Sequence, residues 1–377
     1  MDLRNIAEAY PPGDFLKEEL ESRGWTQRDL AIIMGRDSKL VSDLVTGKRS
    51  FSADIASQLA AALGTSPQIW MNLETAYHLA QEEGDNDDVV IRRKLYEIAP
   101  ISDMIRRGWI KGSEDVSELN KQVLHFLGIQ SLDEYPRLDF AAKARASTSR
   151  PPQIAWISRA QKLAPAVYAE KFTQQRFKSA LAKLKELMAN PEDARHVPKV
   201  LAEGGVRFLL IEHLPKGKID GACFWLDKHS PVIAMSMRYD RLDHFWYILT
   251  HECGHVVNRD ALGAEPHVDI DLVGDGGQTH EDRPDIEKKA DEFAEDFIVE
   301  QRQMEKFIAR VRPLYSKQKI KNFAARLGIH PAMVLGQLQH RREVDWSHSR
   351  EMLVRVRDIL LESALADGWG HQLPSDY

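Results

Sequence analysis

The chain has 377 residues, enough for two or three domains that each bury a core. With 43% hydrophobic and 29% charged residues, its composition is that of an ordinary globular protein. No apolar run approaches the roughly 18 residues of a membrane span, and the start lacks the basic and apolar segments of a signal peptide. The two cysteines, Cys223 and Cys253, are far apart, which fits a reducing cytosol better than a disulfide scaffold. We therefore expect a cytoplasmic protein with no membrane partner.

The formal net charge of −6 is unevenly distributed along the chain. Residues 1–84 carry 8 Lys and Arg against 13 Asp and Glu, so this part of the chain is acidic. Residues 141–185 carry 10 Lys and Arg with a single acid, Glu170. A charge step of this size predicts different partners for the two regions.

The first 84 residues predict an all-helical domain. Capping residues precede the apolar stretches and glycines follow them, as expected at the two ends of short helices. The predicted helices are Asp14–Arg23, Gln27–Met34, Asp37–Thr46, Ala53–Leu63 and a longer one from Pro67 to about Glu83.

The segment from Gln27 to Lys48 fits a helix-turn-helix pattern. Ala31 packs within the first helix, Gly35 makes the turn, and Val41 and Leu44 hold the second helix in place. The remaining polar side chains of this segment would contact DNA, some in the major groove and some at phosphates. The groove candidates are Ser38, Lys39, Ser42, Asp43 and Thr46, and the phosphate candidates are Gln27, Lys48 and Arg49.

About 80 residues, with Pro12-Gly13 at one end and Leu63–Pro67 and Trp70 at the other, resemble HigA-type antitoxins of the Xre-type helix-turn-helix superfamily. The resemblance implies a DNA-binding module that often forms a homodimer. The net negative charge of the region, with Asp37 and Asp43 on the recognition helix, predicts weak DNA binding by a monomer. A protein-interaction or dimerisation unit is the alternative interpretation.

Residues 85–200 are predicted to form a helical connecting region after an acidic linker at Glu82–Asp88. The basic residues of segment 141–185 are interleaved with aromatic ones, a combination that single-stranded nucleic acids bind through phosphates and stacked bases. The alternative is a set of solvated helix faces with the aromatic rings in the core. The four rings in question are Trp156, Tyr168, Phe172 and Phe177.

An α+β domain is predicted for residues 201–345. Three strands, Val206–Leu214, Gly221–Leu226 and Pro231–Arg238, precede helices at Leu242–Asn258 and Pro284–Glu300. The tail, residues 346–377, is predicted to be helical. The expected fold class is thus mainly α, with an all-helical domain followed by a small mixed sheet packed on the first of these two helices.

That helix carries the motif H-E-x-x-H, from His251 to His255. Positions i and i+4 lie on one helix face, so both imidazoles can bind a single Zn²⁺ ion. Glu252 is then placed to act as general base for a hydrolytic water. Apolar residues such as Phe245 and Trp246 indicate that the helix is buried, where inward histidines and a glutamate would be costly without a ligand. The motif therefore predicts a zinc site.

A catalytic zinc site usually has three protein ligands, so a third one is needed. Glu287 and Asp291 are four residues apart and share one face of the next helix. Glu287 could bind the ion while Asp291 orients a ligand histidine by a hydrogen bond. The residues alone leave Glu281, Asp285 and His280 as alternative third ligands.

The stretch from Val206 to about Gln339 resembles the ImmA/IrrE family of metallopeptidases. That family pairs H-E-x-x-H with a later helix of the form E-x-x-A-x-x-F-A, and the segment Glu287–Ala294 matches every fixed position. The Phe323–Ile329 segment is also similar to that family. The resemblance implies a zincin-like fold with the zinc ligands His251, His255 and Glu287 and the general base Glu252.

The resemblance also implies a substrate and a way of binding it. The family cleaves DNA-binding repressors, and the strand Pro231–Arg238 would lie beside the cleft and pair with an extended substrate backbone. The chain departs from the family pattern at Cys253, where an apolar residue is usual, and we expect this thiol to pack in the core. Tyr247, one turn before the motif, is likewise expected to pack rather than to stabilise an oxyanion.

The leading hypothesis is therefore a regulatory zinc endopeptidase that cleaves a repressor- or antitoxin-like protein and carries a DNA-binding-type module. The alternative is a transcriptional regulator or antitoxin whose peptidase fold acts as a sensor or scaffold without proteolysis. A third hypothesis is that the chain neutralises a partner toxin by binding alone.

Overall fold

The computed structural model describes residues 10–81, 87–134, 139–140, 151–263, 266–270, 272, 284–371 and 373. The chain forms two compact units, Met1–Val90 and Ile91–Tyr377. Within the described residues, no helix is both long and apolar enough to cross a membrane.

The first unit is all helical, as predicted. Thr26 caps the second helix in a reciprocal capping box with Asp29, and Gly35 ends it in the left-handed conformation at φ 62°. The observed bounds differ from the predicted ones by at most two residues, apart from the last helix, whose predicted end lies outside the described residues. The helices are α1 Pro12–Arg23, α2 Gln27–Met34, α3 Ser38–Val45, α4 Ala53–Leu63 and α5 Pro67–Gln81.

The core of this unit is formed by the apolar faces of its helices. Ala31 of α2 and Val41 and Leu44 of α3 are buried, as the helix-turn-helix pattern predicts. Trp70 of α5 is also buried, and its Nε1 donates a hydrogen bond to Thr65 Oγ1 at 2.8 Å. The short α2–α3 connection therefore presents α3 on the surface of a fixed scaffold.

The second unit contains a mixed sheet with helices on both faces. Its helices are α6 Asp87–Ile98 (which begins in the first unit), α7 Ile101–Arg106, α8 Val116–Leu127, α9 Pro151–Leu163, α10 Gln174–Glu186, α11 Val197–Glu203, α12 Leu242–Asn258, α13 Asp285–Ile298, α14 Gln301–Val311, α15 Lys317–Leu327, α16 Pro331–His340 and α17 Arg357–Leu361. Its strands are β1 Asp139–Phe140, β2 Arg207–Ile211, β3 Ile219–Trp225, β4 Pro231–Met235, β5 His267–Ile270 and β6 Leu365–Asp367.

The six strands have the order β1-β5-β3-β4-β2-β6. Strand β3 is antiparallel to both of its neighbours, β4 and β5, whereas the other pairs are parallel. Alternate residues of each strand enter two different cores. Phe208 and Ile233 pack with α12 on one face, and Leu209 and Val232 pack with α9 on the other.

The three predicted strands are present, whereas β1, β5 and β6 were not predicted from the sequence. The predicted helical tail differs most from the structure, because after the short α17 it contains β6, which pairs with β2. Asp367 of β6 is fully buried and accepts hydrogen bonds from Arg159 Nε at 2.6 Å and Trp109 Nε1 at 2.9 Å. The predicted connecting region and the tail thus belong to the same compact unit as the sheet.

Strand β4 cannot take the role that the family resemblance implied for it. It lies between β3 and β2 and is paired with both over its length. Its backbone groups are therefore already used within the sheet, so an extended peptide has no free edge to pair with there.

Candidate metal centre

Helix α12 places His251, Glu252 and His255 in the interior of the second unit, where all three are fully buried. The neighbouring Cys253 is also buried and packs in the core, and burial raises its pKa well above the usual range of a thiol. Gly254 faces α13, where a Cβ atom would lie only 3.1 Å from the Cα of Ala290. The glycine therefore allows α12 and α13 to approach closely enough for their side chains to meet.

Two imidazoles and two carboxylates converge beside this helix contact. The Nε2 atoms of His251 and His255 are 3.1 Å apart, and they lie 3.2 and 3.6 Å from the carboxylate oxygens of Glu287 on α13. Asp269 of β5 approaches the same two nitrogens at 3.5 and 3.9 Å. The donor atoms of the four buried residues all lie within 4.8 Å of one another.

Further carboxylates hold the outer nitrogen of each imidazole. Asp291 Oδ1 lies 3.0 Å from His251 Nδ1, and Asp260 Oδ2 lies 2.9 Å from His255 Nδ1. An ionised carboxylate can only accept, so each Nδ1 carries a proton, and each Nε2 presents a lone pair to the centre when its imidazole is neutral. The same hydrogen bond fixes ligand histidines in metal sites.

This donor set fits a zinc ion. Four ligands at 2.0–2.2 Å from a tetrahedral ion have to be about 3.3–3.6 Å apart. Most of the observed separations, between 3.1 and 3.9 Å, lie close to this range. Two inward lone pairs of His251 and His255 facing the carboxylate of Glu287 would repel one another without a positive charge between them. Imidazole nitrogen and carboxylate oxygen are ordinary zinc ligands.

The electrostatics of the cluster favour positive charge. Burial opposes ionisation of His251, but the carboxylates of Asp269, Asp291 and Glu287 raise its pKa well above the usual value. Burial likewise opposes ionisation of His255, whose contacts with Asp260 and Glu287 raise its pKa to about 9. Although burial acts in the opposite direction, the two imidazoles hold the pKa of Glu287 well below its ordinary range.

Glu252 points into a space that β3 leaves for it. Neither of its carboxylate oxygens has a hydrogen-bond partner among the described residues, although both are buried. Burial and the nearby Asp269 raise its pKa well above the ordinary value. A Cβ atom on Gly221 of β3 would lie 2.1 Å from Glu252 Oε1, so only glycine leaves room for this carboxylate. A buried carboxylate without a donor is available to accept a proton.

The structure separates the alternative third ligands. Asp285 is exposed at the start of α13, whereas Glu287 is buried in the cluster. Glu281 and His280 lie outside the described residues. The hydroxyl of Tyr247 donates to Asp291 Oδ1 at 2.8 Å, so this side chain supports Asp291 in addition to packing.

Sequence reasoning missed Asp269, Asp260 and Gly221. Asp260 follows His255 by five residues, just after Arg259 ends α12 with φ 59°, and this proximity was an available signal. Asp269 and Gly221 become neighbours of the motif only through the pairing of β3 with β5. Their roles depend on tertiary contacts that local patterns do not contain.

The DNA-contact candidates lie on one part of the first unit. Ser42 of α3 is half-buried. Six further candidates are exposed, namely Gln27, Ser38, Lys39, Thr46, Lys48 and Arg49. Asp43 is also half-buried. Asp37 accepts a hydrogen bond from the backbone N–H of Lys39 at 2.8 Å, so it caps α3 rather than reaching a groove.

The basic segment does not form the stacking surface considered above. Trp156, Phe172 and Phe177 are buried, and only Tyr168 is exposed, so three of the four rings are unavailable to nucleic-acid bases. Trp156 Nε1 donates to the carbonyl of Ile211 at 3.0 Å. Residues 141–150 of the segment lie outside the described residues. Trp156 and Phe177 lie on the buried faces of α9 and α10, and Phe172, which precedes α10, packs in the same core as Phe177.

Comparisons with known proteins concern the helix-turn-helix region. Residues 16–70 match the helix-turn-helix family model HTH_3. The uncharacterised HTH-type transcriptional regulator YddM of Escherichia coli strain K12 is 35% identical over 82 residues, which cover 22% of this chain and 87% of that protein. Antitoxin HigA-1 of Vibrio cholerae serotype O1 is 43% identical over 68 residues, covering 18% and 64% respectively. The solved structure of antitoxin GraA is 31% identical, covers 23% of this chain and 94% of that chain, and has a TM-score of 0.21.

Proposed function

Because the chain belongs, through its amino-terminal region, to the helix-turn-helix family HTH_3, we propose that it is a regulatory protein that couples this module to a zinc-dependent endopeptidase. The proposed substrate is a repressor- or antitoxin-like protein. The proposed partner of the first unit is DNA, bound by a homodimer. A DNA-binding role would place this action in the cytosol.

The observation that carries the peptidase proposal is the meeting of α12 and α13. Their contact brings the Nε2 atoms of His251 and His255 within 3.6 Å of the Glu287 carboxylate. Glu252 lies beside this cluster, buried and without a hydrogen-bond donor among the described residues. Three ligands next to an available carboxylate are the arrangement that zinc-dependent hydrolysis requires.

Bound zinc would supply Lewis acidity and lower the pKa of water to about 7. The residues of the chain would do the rest. Glu252 would accept the proton of the attacking water and return it to the leaving amine. Asp291 and Asp260 would hold the two imidazoles in the required tautomer and orientation. The surrounding core excludes bulk water, which strengthens these interactions.

The test is Glu252→Gln, which removes the proton acceptor and preserves the side-chain volume. We expect the purified variant to retain one zinc per chain by elemental analysis. In cells that express the wild type, cleavage of the substrate should create new protein amino termini. These amino termini should be absent from cells that express the variant. Identical amino-terminal profiles for the two proteins would overturn the peptidase proposal. Asp285→Ala, at an exposed acid of α13, is the matched control and should behave as the wild type.

A second candidate is a transcriptional regulator or antitoxin in which the zinc centre senses metal or supports the fold without proteolysis. It is favoured by the matches to a transcriptional regulator and to an antitoxin. On this proposal, His251→Ala should change the DNA affinity of the full chain, while Glu252→Gln should leave its cellular effects unchanged.

A further inference from the structure

We propose that Asp269 is a fourth protein ligand of the ion held by His251, His255 and Glu287, and that it closes the site until its carboxylate withdraws. This inference rests on the zinc centre proposed above. It concerns whether the ion has an open coordination position, because hydrolysis needs one position that no protein ligand fills.

Asp269 lies at ligand-like distances from the two imidazoles. Asp269 approaches His251 Nε2 at 3.5 Å and His255 Nε2 at 3.9 Å. Glu287, the third ligand expected from the family resemblance, approaches the same nitrogens at 3.2 and 3.6 Å. The two carboxylates therefore lie at nearly the same distances from the two imidazole nitrogens, and the four donor atoms form one cluster.

The backbone that carries Asp269 directs its side chain to the cluster. Strand β5 pairs with β3, and Asp269 lies opposite Gly221, the residue that makes room for Glu252. Its neighbour Val268 enters the core on the far face of the sheet, so the alternation of a strand directs Asp269 towards α12. Asp269 is only 3% exposed. The pairing of β5 with β3, which has a register shift between Ile219 and Gly221, thus holds the carboxylate at the cluster.

The charge of Asp269 also suits a divalent cation. Among the groups that would contact the ion directly, two neutral imidazoles and Glu287 leave one positive charge, and Asp269 makes this ligand set neutral; Asp260 and Asp291 bind the imidazole N–H groups instead. Oδ2 of Asp269 is buried and accepts no hydrogen bond from any described residue. A buried carboxylate oxygen without a hydrogen bond lowers the stability of the fold unless it binds a cation.

The consequence is a closed centre. Two imidazoles and two carboxylates complete a tetrahedral set, as in structural zinc sites, whereas catalytic sites keep three protein ligands. Withdrawal of Asp269 would open the fourth position to water or to a substrate carbonyl. The wild type would accordingly cleave its substrate more slowly than a variant that lacks the Asp269 carboxylate.

The experiment replaces zinc by Co²⁺ in the full-length chain and uses azide as a probe of an open coordination position. For the wild type, we expect the visible Co²⁺ spectrum to be unchanged by azide. For Asp269→Ala, azide should shift the spectrum, and chelator competition should show a zinc affinity lower by about tenfold or more. Asp269→Asn, which preserves volume, serves if the alanine variant does not fold. Asp285→Ala is the control and should match the wild type.

The outcomes separate this inference from the proposed function. An azide-induced shift in the wild type that is equal to that of both Asp269 variants would overturn the fourth-ligand assignment. Such a result would leave the Glu252→Gln test of the peptidase unaffected. An azide-sensitive Asp269→Ala variant that produces no new protein amino termini would support the fourth ligand and count against the peptidase.

Discussion

The Cα atom of Ala290 lies 3.1 Å from the position that a Cβ atom on Gly254 would occupy. This contact sets the spacing of α12 and α13, and with it the distance from Glu287 to the two histidines. We predict that Gly254→Val lowers the free energy of unfolding by about 1–3 kcal/mol, because the added methyl groups overpack the interface. Zinc affinity should fall as well, since Glu287 moves away.

Denaturant unfolding and chelator competition measure these two effects. Asn258→Val introduces the same side chain at an exposed position of α12 and controls for the helix propensity of valine. Equal losses in the two variants would contradict the role assigned to the helix contact.

Gly221 lies so close to Glu252 that a Cβ atom would be 2.1 Å from Oε1. We predict that Gly221→Ala displaces the Glu252 carboxylate and lowers proteolysis about 100-fold or more, the usual contribution of a general base. Zinc content should stay the same, because the atoms nearest to the added Cβ belong to Glu252 and Ile248, which are not proposed ligands. In the control, Gly112→Ala, the new Cβ atom meets only the side chain of Ile105, at 3.6 Å. Unchanged proteolysis in Gly221→Ala would remove Glu252 from its assigned role.

Asp260 holds His255 through a contact of 2.9 Å to Nδ1. We predict that Asp260→Ala weakens zinc binding by about 10–100-fold, because the imidazole loses its orientation and the acceptor for its N–H. Competition with a chromogenic chelator measures this affinity. Asp285→Ala, an exposed acid on α13, should leave it unchanged. A loss of zinc affinity in both variants would point to a general charge effect.

His244 is buried, and burial lowers its pKa to about 4, with Asp243 acting in the opposite direction. The unfolded chain takes up this proton near pH 6.5 and the folded chain does not, so the free energy of unfolding falls as pH drops from about 6.5 to 4. The full effect is about 3 kcal/mol.

We predict that His244→Phe reduces this pH dependence, while the ring contacts with Tyr239 and Trp346 are kept. Denaturant unfolding at pH 7 and pH 5 provides the measurement. His125→Phe, at an exposed position of α8, controls for the removal of a histidine. The assignment is wrong if His244→Phe and the wild type lose the same free energy between the two pH values.

Lys48 is exposed after the second helix of the helix-turn-helix pair. We predict that Lys48→Ala lowers the affinity for double-stranded DNA and reduces the slope of log affinity against log salt by about one, because one phosphate contact is lost. Fluorescence anisotropy with a 30-base-pair duplex, about three helical turns, gives the slope. Lys17→Ala, at an exposed lysine of α1, should leave the slope unchanged. A larger loss with Lys17→Ala would place the DNA surface on α1.

Local sequence signals were sufficient for the first unit. Thr26, Ser52 and the glycines after the helices fix where α2 and α4 begin and end, and each of these devices acts within a few residues of the chain. The H-E-x-x-H spacing is local in the same sense, because one turn of α12 places His251 and His255 side by side. The three longest strands were also predictable from their apolar runs.

The remaining features needed the tertiary structure. Strand β6 is only three residues long and becomes a strand through pairing with β2, more than 150 residues earlier in the chain. Asp269 has no signal of its own, because only the pairing of β5 with β3 directs it to the cluster of His251, His255 and Glu287. The sequence by itself thus determined the helix-turn-helix module and the two histidines with their adjacent glutamate. The fold decided which distant carboxylates meet them, since contacts between remote segments depend on packing and strand pairing rather than on local conformational preference.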